Sequence, residues 1–260
     1  MKKKRLLIIL SIFVFIAILT ILSSEVFALS TVEVNYLSTT YNITATQEEI
    51  IETANIPMRK NVFMLSKQKY VNNIEKSNPY IKVVNIETVF PNKLRIHIAE
   101  RNEIFVVKSE GTYYYCDEEL KILKTSNVFA NTNENAIPLR LDMVEISANQ
   151  EDNVFLSVPS QSQKLIQNVY KSLKQWNESL VYLRANVEEI IINDYALSNV
   201  TLKMRTGATI KIYEANELCE EKFNVGFSVY GLNVENMQSG TIVVMKVKDA
   251  DNGYKIKAFR

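Results

Sequence analysis

His97 is the only histidine in the chain, so any Ser-His-Asp or Cys-His centre would have to be built on it. It sits between Ile96 and Ile98 in an alternating stretch, which places it on the outer face of a strand, and no G-x-S-x-G turn accompanies it. A structural zinc site needs about four Cys or His ligands at short spacing. Here only His97, Cys116 and Cys219 are available, widely separated. The carboxylate pairs Glu48-Glu49, Glu118-Glu119, Glu188-Glu189 and Glu220-Glu221 fall where a helix start, a turn or a strand edge leaves them in solvent. A wall-cleaving glycosidase would need two carboxylates facing each other across a cleft, and no motif here marks such a pair. Six glycines in 260 residues form neither a Walker loop nor a dinucleotide fingerprint. No catalytic, cofactor-binding or metal residue is expected. The two cysteines, 103 positions apart, carry no framework spacing: a disulfide and a pair of buried thiols are both open readings.

What must be positioned is therefore a surface, and its placement starts at the N-terminus. Leu6 to Leu22 is an uncharged run in which only Ser11 and Thr20 are polar, spanning roughly 25 Å as a helix. Ser23 and Ser24 extend it to a membrane segment over 6–24. Lys2, Lys3, Lys4 and Arg5 precede it and determine topology: residues 1–5 form a cytoplasmic tail and everything beyond Glu25 is exported. Val26-Phe27-Ala28 offers a signal-peptidase site, but cleaved signals use roughly 7–15 apolar residues, so a retained anchor is expected. Without the segment through Leu29 the net charge of +1 becomes −2. That is no surface for nucleic acid, which asks for a basic excess.

Thr46-x-x-Glu49 is a capping box opening a helix through Ile50, Ile51 and Ala54. Ser66 reads as a second N-cap, with Leu65 and Tyr70 as a hydrophobic staple, and Ser77-Asn78-Pro79 ends that helix. Ile81 to Phe90 is extended, with a parity switch at Val83-Val84 that predicts a bulge. After the turn Phe90-Pro91-Asn92-Lys93, Leu94, Ile96 and Ile98 alternate with Arg95 and His97. Thr31 to Leu37 supplies a strand ahead of the helices, giving the order β-α-α-β-β.

The strings Asn78-Pro79-Tyr80-Ile81 and Phe90-Pro91-Asn92-x-Leu94-x-Ile96-x-Ile98-x-Glu100-Arg101 resemble the POTRA module of the DivIB/FtsQ family of bacterial cell-division proteins. The likeness continues more weakly through Tyr113 to Leu123, Gly207, Lys222-Phe223 and Gly240-Thr241-Ile242. Asn102 stands where the family often has proline, and Glu119 where its hairpin has glycine. The resemblance implies a non-catalytic, membrane-anchored scaffold at the division septum, with partners of the DivIC/FtsB and FtsL kinds and no small-molecule substrate. Two other readings are a peptidoglycan-acting enzyme of the cell envelope and a POTRA-bearing secretion or sporulation component.

Beyond Arg101, strands are expected at Ile104 to Val107, Tyr113 to Cys116, Leu120 to Leu123, Val187 to Ile192, Val200 to Arg205 and Ala208 to Tyr213. The last two meet in a two-residue hairpin at Thr206-Gly207. Asn131 to Asn135 reads as a polar loop. Ser162 to Trp176 is an amphipathic helix, and Glu217 to Tyr230 is a further helix with Gly231 as its C′ residue. The fold class is α+β: one transmembrane helix, a POTRA domain over 30–101, a mixed, largely antiparallel β domain over 102–248, and a C-terminal tail over 249–260. The closing strand, Thr241, Ile242, Val243, Val244, Met245, Lys246, Val247 and Lys248, is the expected partner-binding element. As last in order it should leave one edge unpaired, on which an extended partner segment can add.

Overall fold

The computed structural model describes residues 2–37, 43–129, 136–141, 147–148, 155–158, 160–194, 198–233, 239–248 and 254–259. The chain divides into two units, Met1–Arg101 and Asn102–Arg260.

The first unit contains α1 (Lys2–Val26), β1 (Thr31–Tyr36), α2 (Gln47–Ala54), a 3-10 turn (Val62–Met64), α3 (Lys67–Ser77), β2 (Ile81–Val89) and β3 (Lys93–Glu100). The capping box forms: Glu49 N–H donates to Thr46 Oγ1 at 3.3 Å, and Thr46 N–H donates to Glu49 Oε2 at 2.8 Å. Ser66 does occupy the cap position of α3, but its side chain makes no cap bond. Its carbonyl accepts Lys69 N–H at 3.1 Å instead. β3 lies between β1, parallel to it, and β2, antiparallel. Leu94, Ile96 and Ile98 are fully buried beneath α2 and α3 with Ile50, Ala54, Tyr70 and Ile74, as the alternation required. The bulge falls between Val83 and Asn85. There Val83 N–H donates to Glu75 Oε1 at 2.9 Å, and the same buried carboxylate meets Arg101 at 3.3 Å, so one ion pair ties α3 to the bulge and to the end of β3.

Among the described residues no helix is long and apolar enough to cross a membrane. Within α1 the side chains described without interruption are those of 8–20, uncharged throughout and exposed on every side.

The second unit contains β4 (Phe105–Ser109), β5 (Thr112–Cys116), β6 (Ile122–Ser126), β7 (Ile137–Leu141), the short β8 (Ser147–Ala148) and β9 (Leu156–Ser157), α4 (Ser160–Trp176), α5 (Leu180–Asn186), β10 (Val187–Asp194), β11 (Asn199–Met204), β12 (Ala208–Ile212), α6 (Cys219–Asn233), β13 (Gly240–Lys248) and β14 (Tyr254–Phe259). Nine strands form one sheet in the order β14-β13-β12-β11-β10-β7-β4-β5-β6. Three pairings, β12 with β13, β10 with β7 and β4 with β7, are parallel and the rest antiparallel. The stripe Leu165, Ile166, Val169 and Leu173 of α4 and Phe223, Phe227 and Tyr230 of α6 cover one face of this sheet.

Three expectations change. The connection from β11 to β12 is three residues, 205–207, with Gly207 at φ 91° and its N–H donating to Met204 O at 2.9 Å. α6 does not stop at Gly231 but continues to Asn233, since a glycine with nothing around its Cβ position costs a helix only about 1 kcal/mol. Residues 254–259 of the expected tail form a strand, β14, and β13 is consequently interior. Asn131 to Asn135 lies outside the described residues.

Candidate partner-binding edge

β12, β13 and β14 end the nine-stranded sheet, and α6 fixes them from one side. Gly226 allows the close approach: a Cβ there would stand 3.0 Å from Ile210 Cγ2 and 3.3 Å from Val244 Cγ2. Ile242 and Val244 are fully buried on this face, and Ile256 and Ala258 of β14 pack against the same core. Trp176 stacks on Phe227 at 4.2 Å between ring centroids, joining α4 to α6. Lys222, fully buried, donates from Nζ to Tyr213 O at 2.8 Å and Glu214 O at 2.7 Å. Its ammonium holds the turn leaving β12, in which Glu214 and Leu218 both have left-handed backbone, and burial lowers its pKa.

The opposite parity, Val243, Met245 and Val247 with Phe259, lies half-exposed on the open face. Tyr213 N–H donates to Val244 O at 3.0 Å, so Val244 directs its peptide groups towards β12. Alternation then turns Val243, Met245 and Val247 towards Phe259, Lys257 and Lys255, their partners in register. Tyr254, Ile256 and Ala258 must point their N–H and C=O groups away from the sheet. Among the described residues no strand pairs with that side of β14.

The structure thus moves the expected open edge by one strand. β13 is flanked on both sides, by β12 over Gly240–Val244 and by β14 over Val243–Lys248, so it is not the edge strand of the sheet. Lys246 is engaged on the helix side, 3.2 Å from Glu217 and 4.6 Å from the centre of the Tyr254 ring. The sequence hides β14 because only Ile256 and Ala258 touch core, between lysines.

Lys2 to Arg5 begin α1, with Lys4 exposed. His97 lies on the outer face of the first unit's sheet. Asn35 Nδ2 donates to its Nδ1 at 3.1 Å, which leaves Nε2–H to donate to Glu87 at 3.2 Å. The His97 hydrogen bond, with Arg95 at 3.0 Å behind it, holds Glu87 below the usual carboxylate range. This is an ion-pair array, with no nucleophile at hand.

A groove of about 240 Å³ in the second unit is lined by Val106, Tyr113, Phe129 and Leu141 with Lys108 and Arg140 at its rim. A neighbouring one holds the adjacent Glu188 and Glu189. Lys203 clamps Glu189 at 2.7 Å, an arrangement for an ion pair rather than a proton donor facing a nucleophile. Cys116 and Cys219 are both free thiols, each raised in pKa by burial. Among the described residues no three His, Cys, Asp or Glu side chains are grouped to hold a metal.

A family model described as "POTRA domain, FtsQ-type" matches residues 27–101. The cell division protein DivIB of Clostridium tetani is 29% identical over 184 residues, 70% of this chain and 64% of that protein. DivIB of Clostridium botulinum strain Hall is 24% identical over 233 residues, 88% of this chain and 83% of the relative. DivIB of Staphylococcus aureus is 39% identical over 66 residues, 25% of this chain and 15% of the relative. The resemblance to the DivIB/FtsQ family carried by Asn78-Pro79 and the Phe90 to Arg101 string is thereby shown, and it extends into the second unit.

Proposed function

With an FtsQ-type POTRA domain over 27–101 and DivIB proteins as its relatives, we propose that this chain is a non-catalytic scaffold of the bacterial division machinery. α1 anchors it in the cell membrane with Lys2 to Arg5 in the cytoplasm, and the two units stand outside, at the septum. Its partners are other single-pass division proteins, of the DivIC/FtsB and FtsL kinds.

The observation that carries this reading is the edge of β14. Tyr254, Ile256 and Ala258 offer a ladder of outward donors and acceptors, and an extended partner segment satisfies them by adding a tenth strand. Selectivity comes from alternate side chains. On the open face a partner residue meets Phe259, with Met245 and Val243 behind it. On the other it meets Ile256 and the Tyr254 ring. Lys255 and Lys257 discourage random edge pairing.

Proline scanning of β14 tests it in the full-length protein. Ile256→Pro removes an outward N–H while sparing the bonds to β13, as edge prolines do. It should abolish co-purification of the partner while the chain stays folded in the membrane. Lys257→Pro, which removes the N–H facing Met245, should instead loosen β14 itself. A folded Ile256→Pro protein that retains its partner at wild-type level would overturn strand addition.

A further inference from the structure

The chain leaving α1 is stitched at once to two loops of the same unit. Val62 N–H donates to Phe27 O at 3.0 Å, Leu29 N–H to Lys60 O at 2.9 Å, Arg59 N–H to Leu29 O at 2.9 Å and Ser30 N–H to Asn92 O at 2.9 Å. Phe27, the residue after the helix, meets Phe63 edge-on at 5.3 Å and Phe90 at 5.5 Å. Those two rings are otherwise bare, Phe63 66% and Phe90 72% exposed, and Met64 beside them is 72% exposed. Val26 and Met58, which adjoin Phe27 and Arg59 in sequence, are exposed as well. Hydrophobic side chains of this size grouped in the open mark a contact surface rather than a scatter of lone exposures. Basic residues flank it: Arg59 and Lys60 are exposed on the first loop, while Lys93 on the second is ion-paired with Glu33 at 3.5 Å. Across 25–30, 58–64 and 90–93 the only acidic residue is Glu25.

The geometry points to a lipid-contacting tip: Phe63, Met64 and Phe90 enter the headgroup region of an anionic bilayer, with Arg59 and Lys60 against the lipid phosphates. Two observations select lipid as the occupant. The tip is continuous with α1, one residue beyond the helix end, and this inference rests on reading α1 as the membrane anchor. Its charge complements an anionic leaflet, and aromatic rings beside basic residues suit the boundary between headgroups and acyl chains. The first unit is then seated on the membrane by its own loops, its angle set by the Phe27 contacts.

The experiment places the full-length protein in vesicles of phosphatidylglycerol and a phosphatidylcholine brominated near the headgroup. An indole is introduced by Phe63→Trp, or by Val84→Trp on the β2 bulge, about 20 Å back along the strand from Phe90. The wild-type emission from Trp176 is subtracted. An alkaline carbonate wash reports first whether α1 holds the protein in the bilayer. The expected result is a retained protein in which the indole at position 63 is blue-shifted and loses most of its emission, while that at position 84 is unaffected. A retained protein whose position 63 is unquenched, or whose two positions are quenched alike, overturns the tip and leaves the anchor standing. Release by the wash overturns the anchor, and the tip with it.

Discussion

Two buried charges show how single residues hold this molecule together. Lys222 saturates the carbonyls of Tyr213 and Glu214. Lys222→Met keeps the volume but removes the donor that both carbonyls share, so it should destabilise the second unit by about 1–3 kcal/mol in urea unfolding. In the first unit Arg101 faces Glu75 within the core. Arg101→Met strands a buried carboxylate, and a loss of about 3–5 kcal/mol in the same measurement is expected. Glu87 responds to pH. Its carboxyl is lowered by His97 and then Arg95, so its contribution is complete above the ordinary carboxylate pKa. It fades as acid drives the pH down through the depressed value. Glu87→Gln should flatten that acid limb of a stability profile, and an unchanged limb would remove Glu87 as its source. His97→Ala should leave division function intact, since the ring only completes this array.

The elements differ in how openly the sequence announces them. The Thr46 capping box, the stop at Asn78-Pro79 and the alternation of Leu94, Ile96 and Ile98 are local signals with local causes, and the structure reproduces them. β7 escapes because Pro138 sits in a strand paired on both sides, where proline argues against strand. β14 escapes because an edge strand buries little. The end of α6 is misread because Gly231 mimics a cap. The two helical glycines of α6 give a paired prediction. Gly231→Ala meets open space and should stabilise the protein by about 0.5–1 kcal/mol. Gly226→Ala pushes a methyl onto Ile210 and Val244, both fully buried, and should destabilise it by about 1–3 kcal/mol despite the better helix propensity. Thermal unfolding of the two variants reads both signs.

At the scale of the molecule, the proposed anchor and membrane seat belong to the first unit and the open edge of β14 to the second. A reporter active only outside the cytoplasm, fused after Arg260, should be active; activity only inside would reverse the topology. The sequence places the open edge at β13, and the structure places it one strand later, at β14. The expectation of an open edge near the chain's end comes from strand order, while the identity of that edge depends on β13 and β14 pairing, a contact between polar-looking segments. The most direct test is residue-resolved amide exchange on the complex co-purified from cells against the chain alone. Lys255, Lys257 and Phe259 already donate within the sheet and should change little. Tyr254, Ile256 and Ala258 should exchange freely alone and become protected in the complex. Equal exchange at those three amides with and without the partner would contradict strand addition on β14.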